Sequence, residues 1–177
     1  MRLVLDVGRP LWADPHDHLP LPPVIGLASG DDPSLAGVIV SHSHPDHYGL
    51  LGQVPTSVPA YTGKSSAMML KEASFFSPAG IERDWTGYLS DREPFKLGPF
   101  TVTPYLVDHS AFEAFALLVE ADGRRLFYSG DLRGHGSHQN TFDRLLTDPP
   151  KSVNALLLEG TRVGFDGKDQ RSSISEP

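Results

Sequence analysis

Cysteine is absent from the chain, and that absence excludes disulfides, thiolate metal sites and cysteine nucleophiles together. Long apolar runs are missing as well: no stretch reaches the length a bilayer-spanning helix needs. The opening MRLVLDVGRP holds one short apolar run that Asp6 interrupts, so no secretory signal is expected there. With no thiols to oxidise, the composition fits a reducing compartment, and a cytoplasmic protein with no membrane partner is expected. Positive charge is the third shortage. The 15 Lys and Arg are outnumbered by 22 Asp and Glu, for a formal net charge of -7. An acidic domain repels phosphate backbones at long range, so charge alone does not point to nucleic acid.

The 177 residues present suffice for one domain with a real core and hardly for two. RLVLDVG (Arg2 to Gly8) and GVIVS (Gly37 to Ser41) are short β-branched runs closed by turn residues, as buried strands are. The proline-rich stretch between them reads as surface loop. Gly63 to Phe76 has a helical period, with Met68, Met69, Leu70, Phe75 and Phe76 expected in the core. FTVTPYLVDH alternates like a strand. FALLVEADGRRLFYSGD reads as two strands joined at Asp122-Gly123, a hairpin signal. TFDRLLTD reads as a helix and NALLLEG (Asn154 to Gly160) as a further buried strand. Strands outnumber helices and the two kinds alternate, which predicts an α/β layered sandwich.

Polar residues recur where those strands end: Asp6, His42, His109, Asp131 and Glu159. Strand ends are where α/β sheets place their chemistry. The densest case is SHSHPDHYGL, where His42, His44, Asp46 and His47 fall within six positions of a chain with 8 histidines. A core could not hold so many polar groups without partners. Imidazole and carboxylate suit zinc, iron or manganese, and without thiolates they are the only strong ligands available. His42 and His44, two apart in extended chain, point to one side. Pro45 then breaks the strand, so Asp46 and His47 leave from a new backbone direction. One segment can therefore serve two neighbouring metals, which would add about four positive charges to the acidic surface.

His42-Ser43-His44-Pro45-Asp46-His47 resembles the HxHxDH motif of the metallo-β-lactamase fold hydrolases, and the order of Asp6, His109 and Asp131 agrees with that family. The wording DHSAFEAFALLVEADGRRLFYSGDLRGHG, followed by LLLEGT, is similar to the ribonuclease J and β-CASP branch. The resemblance implies an αββα fold and a pair of divalent metal ions, zinc in the first instance, with manganese or iron as alternatives. It assigns His42, His44 and His109 to one metal and Asp46 and His47 to the other, with Asp131 bridging. Asp46 and Asp131 would be the catalytic carboxylates beside an activated hydroxide, and Asp6 would support the histidine loop by hydrogen bonds. The family's second site takes a last histidine from a later strand, whereas this chain has none after His138. Residues 1–177 are thus expected to form one domain corresponding to the N-terminal portion of the fold, incomplete at both ends, with His135 or His138 as candidate replacement ligands.

Three functions follow as expectations. The first is a metal-dependent phosphodiesterase cutting single-stranded RNA. The second is a hydrolase of a small ester, lactone or thioester, since the same metal pair serves acyl transfer. The third is an inactive metal-binding half-domain that needs a missing C-terminal segment; the protein partner expected is that C-terminal segment or, in a homo-oligomer, a second copy. A second histidine pair, His16 and His18 in ADPHDHLP, reads as solvated loop. Arg133, two residues after Asp131, is a candidate for meeting a substrate phosphate.

Overall fold

The computed structural model describes residues 1–14, 17–77 and 80–160. Strands β1 (Arg2–Leu5), β2 (Leu35–Ile39), β3 (Ala60–Gly63) and β4 (Gly87–Leu89) form an all-parallel sheet in that order. A second sheet runs β5 (Phe95–Leu97), β6 (Phe100–Val107), β7 (Ala114–Ala121), β8 (Arg124–Tyr128) and β9 (Ala155–Leu157). Its pairs are antiparallel except β8 with β9. The helices are α1 (Pro45–Tyr48), α2 (Lys64–Ser74) and α3 (Gln139–Thr147).

Side-chain alternation explains the layering. In β7, Phe115, Leu117 and Val119 join Ile39, Leu89 and Leu97 in a core shared by the two sheets. The intervening Ala114, Ala116 and Leu118 face the other way, toward Leu145 of α3. On the far side of the first sheet, Val38 and Val40 pack with Leu51, Val54 and Leu70. Two sheets back to back, each covered by helix, make the αββα sandwich expected from the sequence. Asp122 and Gly123 turn the β7–β8 hairpin with φ of 48° and 70°, the pair of positive φ values that a tight hairpin turn requires.

Two expectations about burial fail. β9 forms where NALLLEG predicts it, but its residues are exposed, with Leu156 at 56% and Leu157 at 52%. Among the described residues it is the edge strand of its sheet and pairs only with β8, so it lacks the second neighbour that a central strand has. On α2, Ser66, Ala67 and Leu70 are buried, whereas Met68 and Met69 are exposed, as are Phe75 and Phe76 just past its end. The helix presents Ser66, Ala67 and Leu70 inward and turns Met68 and Met69 outward. Among the described residues, no helix is long and apolar enough to cross a membrane.

Candidate metal centre

The chain leaves β2 at Ile39 and bends through His42 to His44, whose φ and ψ are −100° and 145°. Pro45 then opens α1, where its fixed φ suits the first helical position and its missing N–H is not needed. His42 and His44 therefore project from the bent segment between β2 and α1, and Asp46 and His47 from a single helical turn. His109 follows β6, and Asp131 follows β8. Every one of these elements ends at the same edge of the sandwich.

Two ligand groups result. In the first, His42 Nε2 and His109 Nε2 each lie 3.1 Å from His44 Nδ1. Tetrahedral coordination at about 2.0–2.1 Å per nitrogen would separate the nitrogens by about 3.3–3.4 Å, so this spacing fits one ion between them. In the second group, ligand atoms of His42, His47 and Asp131 lie within 4.8 Å of one another. Asp131 reaches both groups, with Oδ1 3.3 Å from His47 Nε2 and Oδ2 3.7 Å from His109 Nε2. Asp46 stands beside the second, its Oδ2 3.7 Å from His47 Nε2.

Electrostatics separate the two groups. Burial, reinforced by its histidine neighbours, pushes His42 down to about 2. Burial also holds His44 and His109 below the ordinary imidazole value. All three are therefore neutral near pH 7 and have lone pairs to offer. Burial would depress His47 too, but hydrogen bonds to Asp131 and Asp6 outweigh it and raise the group to about 10. The same contact with His47 lowers Asp131.

Asp6 sits beneath this arrangement with φ of 61°, a left-handed conformation that Asp tolerates better than most residues. Its carboxylate accepts from the Ser41 N–H at 2.7 Å, Ser41 Oγ at 2.8 Å, His47 Nδ1 at 2.7 Å and Tyr128 Oη at 2.6 Å. Strand ends β1, β2 and β8 are thus tied together at one nearly buried acid. Asp6→Ala should leave these donors without an acceptor, costing about 3–5 kcal/mol. For a domain of this size that corresponds to a fall of about 10 °C in melting temperature, measurable by calorimetry. A fall under about 3 °C would show that Asp6 is not the tie.

Sequence reasoning missed Ser41, Tyr128 and Asp108. Asp108 is fully buried. It accepts from the backbone N–H of Gly136 and, at 3.1 Å, of His138, which fastens the loop after Asp131 to the one carrying His109. A Cβ on Gly136 would come within 2.4 Å of that carboxylate, so only glycine fits. Its signal in the sequence is an acidic residue placed directly after the apolar end of β6, beside His109. Glu159 accepts from the Leu132 N–H at 2.8 Å. Arg133 turns toward Asp108, Nε to Oδ1 3.8 Å. Neither His135 nor His138 joins a ligand group. His16 lies outside the described residues.

The profile of the beta-lactamase superfamily domain matches residues 10–165. Ribonuclease J of Sinorhizobium meliloti is 30% identical over 66% of this chain, which covers 21% of that protein. Ribonuclease J of Mycoplasma genitalium is 24% identical over 77% of the chain and is covered to 25%. The chain therefore spans a quarter or less of these relatives. A protein of unknown function from Enterococcus faecalis V583 superposes with a TM-score of 0.73 at 25% identity, over 92% of this chain and 45% of that one. A metallo-beta-lactamase from Cronobacter sakazakii with the HARLDQ motif, 16% identical, shares the fold at a TM-score of 0.51 over 68% of this chain and 54% of its own.

Proposed function

The chain belongs to the beta-lactamase superfamily domain family, whose members are generally hydrolases, and from that premise we propose that it is a metal-dependent phosphodiesterase acting on single-stranded RNA. The observation that carries the reading is the pair of ligand groups that share His42 and are joined by Asp131. The likeness to two ribonucleases J supplies the RNA.

His42 Nε2, His44 Nδ1 and His109 Nε2 would hold one divalent ion, and His47 Nε2 with Asp131, and Asp46 beside them, would hold the other. A pair bound there supplies Lewis acidity for a phosphoryl oxygen and an acidified water as nucleophile. Asp131 keeps its charge between the two groups. Asp6, by accepting from His47 Nδ1, leaves Nε2 as the nitrogen that faces Asp131 and that would ligate once its proton is displaced. Asp46, whose side chain is 27% exposed, is placed to take the proton of an incoming water at Oδ2.

The net charge of -7 favours a second reading, a small ester, lactone or thioester as substrate. With manganese or zinc supplied, bis-p-nitrophenyl phosphate and single-stranded RNA should be compared with p-nitrophenyl acetate and a simple lactone. The phosphodiesters should have kcat/KM at least about tenfold higher, since a pocket organised for one transition state discriminates at that level or better. Faster turnover of the acyl substrates would replace the proposal with the second reading. Bound metal with no turnover of any of the four would instead mean that the site needs a further chain segment.

A further inference from the structure

We propose that Phe112 and His138 form an aromatic corner at the rim of the metal centre that stacks on a nucleobase of the RNA; this rests on the ribonuclease reading and names what that site recognises beyond the phosphate.

Phe112 is 63% exposed, and a lone exposed apolar ring would mean little. Its surroundings are what set it apart. Asp108 and Ala111 before it are buried. Glu113 after it accepts from the N–H groups of Ser65 at 2.7 Å and Ser66 at 3.3 Å, while the Glu113 carbonyl accepts from Ser66 Oγ at 3.1 Å. The loop is anchored on both sides of a ring that is left in water. A segment held this firmly could have turned its phenyl inward, yet it presents it outward.

His138 supplies the second wall. Its ring stands 6.2 Å from that of Phe112 at 80°, an edge-to-face arrangement that leaves flat surface for a third ring. Its position is fixed as firmly, because its N–H and that of Gly136 are both held by the Asp108 carboxylate. One wall is reached from His109 and the other from Asp131, so each loop that carries a ring begins at a member of the ligand groups. Arg133 lies on the His138 loop with its side chain 31% exposed.

A phosphate-binding centre, a nearby cation and two perpendicular ring faces match the parts of a nucleotide. Every base has a π-face, so such a platform accepts single strands without regard to sequence. Stacking also explains how an acidic chain could hold RNA without a basic groove, because its attraction needs no net charge. Phe112 and His138 bind and orient substrate here; Asp108 and Glu113 act only by placing them.

Adenosine 5′-monophosphate and ribose 5-phosphate differ by the base alone, and neither is a diester that can be cut. Calorimetry on the metal-loaded chain should show the nucleotide binding about tenfold tighter. Phe112→Ala should abolish that preference and leave ribose 5-phosphate unchanged, while Phe112→Trp should retain it. The control is Phe75→Ala, an exposed ring just past the far end of α2, about 14 Å along the helix from Ser65 and Ser66; it should change nothing. On RNA, Phe112→Ala should raise KM about tenfold with kcat nearly constant. If the preference disappears in Phe112→Ala but RNA is never cleaved, the corner stands and the ribonuclease reading falls. If RNA is cleaved with an unchanged KM in Phe112→Ala, the ribonuclease reading stands and the corner falls. Equal binding of the two ligands by the wild type overturns the corner directly.

Discussion

Asp131→Asn is expected to lower metal-dependent hydrolysis by about a thousandfold, because loss of the proposed bridging ligand should exceed the about 10–100-fold typical of a supporting residue. Among the described residues, Asp131 is the one carboxylate that reaches both ligand groups, at 3.3 Å from His47 Nε2 and 3.7 Å from His109 Nε2. Asparagine keeps its size but removes the charge between the groups. It also puts an amide in place of one carboxylate oxygen, and an amide N–H cannot coordinate. Because the side chain is 23% exposed, the substitution should leave the fold intact, which a melting curve of the metal-free protein would verify. The same substitution should lower the His47 titration seen by proton NMR, since the hydrogen bond to Asp131 helps hold that group near 10. Undiminished activity would remove Asp131 from its bridging role. A normal rate together with a lowered His47 titration would confine its effect to the metal-free state.

The site was more legible than the parts that support it, and the reason is physical. Four candidate ligands lie within Ser41 to Leu50, where local chain geometry alone brings them close. His109 and Asp131 are distant in sequence, but each follows a strand whose alternation is plain, so the shared edge could be inferred. The partners of Asp6 could not. Tyr128 is 122 positions away and reads as one more strand residue, and no local pattern shows that its hydroxyl points back to β1. Burial failed for a related reason. The leucines of β9 look the same whether or not another strand covers them, and exposure is decided by neighbours in space. β4 and β5, with 3 residues each, are too short to display a two-residue period.

Metal binding at the two groups should respond unequally to pH, and the size of the contrast makes it the sharper test of how they differ. His42 sits at about 2, and His44 and His109 below the ordinary imidazole value, so the first group has no proton to lose above pH 7. His47 is raised to about 10, so an ion entering the second group must displace one proton from it. Asp131, held low by the same contact, adds no competing proton. Affinity at the second group should then rise about tenfold per pH unit, roughly a hundredfold between pH 7 and 9, while the first stays nearly flat. For the metal-free chain the sign is reversed. A group whose folded value is raised contributes stability that is complete below its unfolded value of about 6.5 and disappears as pH climbs through about 10. Raising pH should therefore weaken the metal-free fold and tighten its hold on the second ion. Zinc titrations of the metal-free chain at pH 7, 8 and 9, in buffers of different ionisation heat, would resolve the two events and count the proton released with each. About one proton with the weaker event and none with the tighter one is the expected result. Parallel pH slopes for both events would show that the His47–Asp6–Asp131 arrangement does not persist while metal binds, and that the two groups load as one.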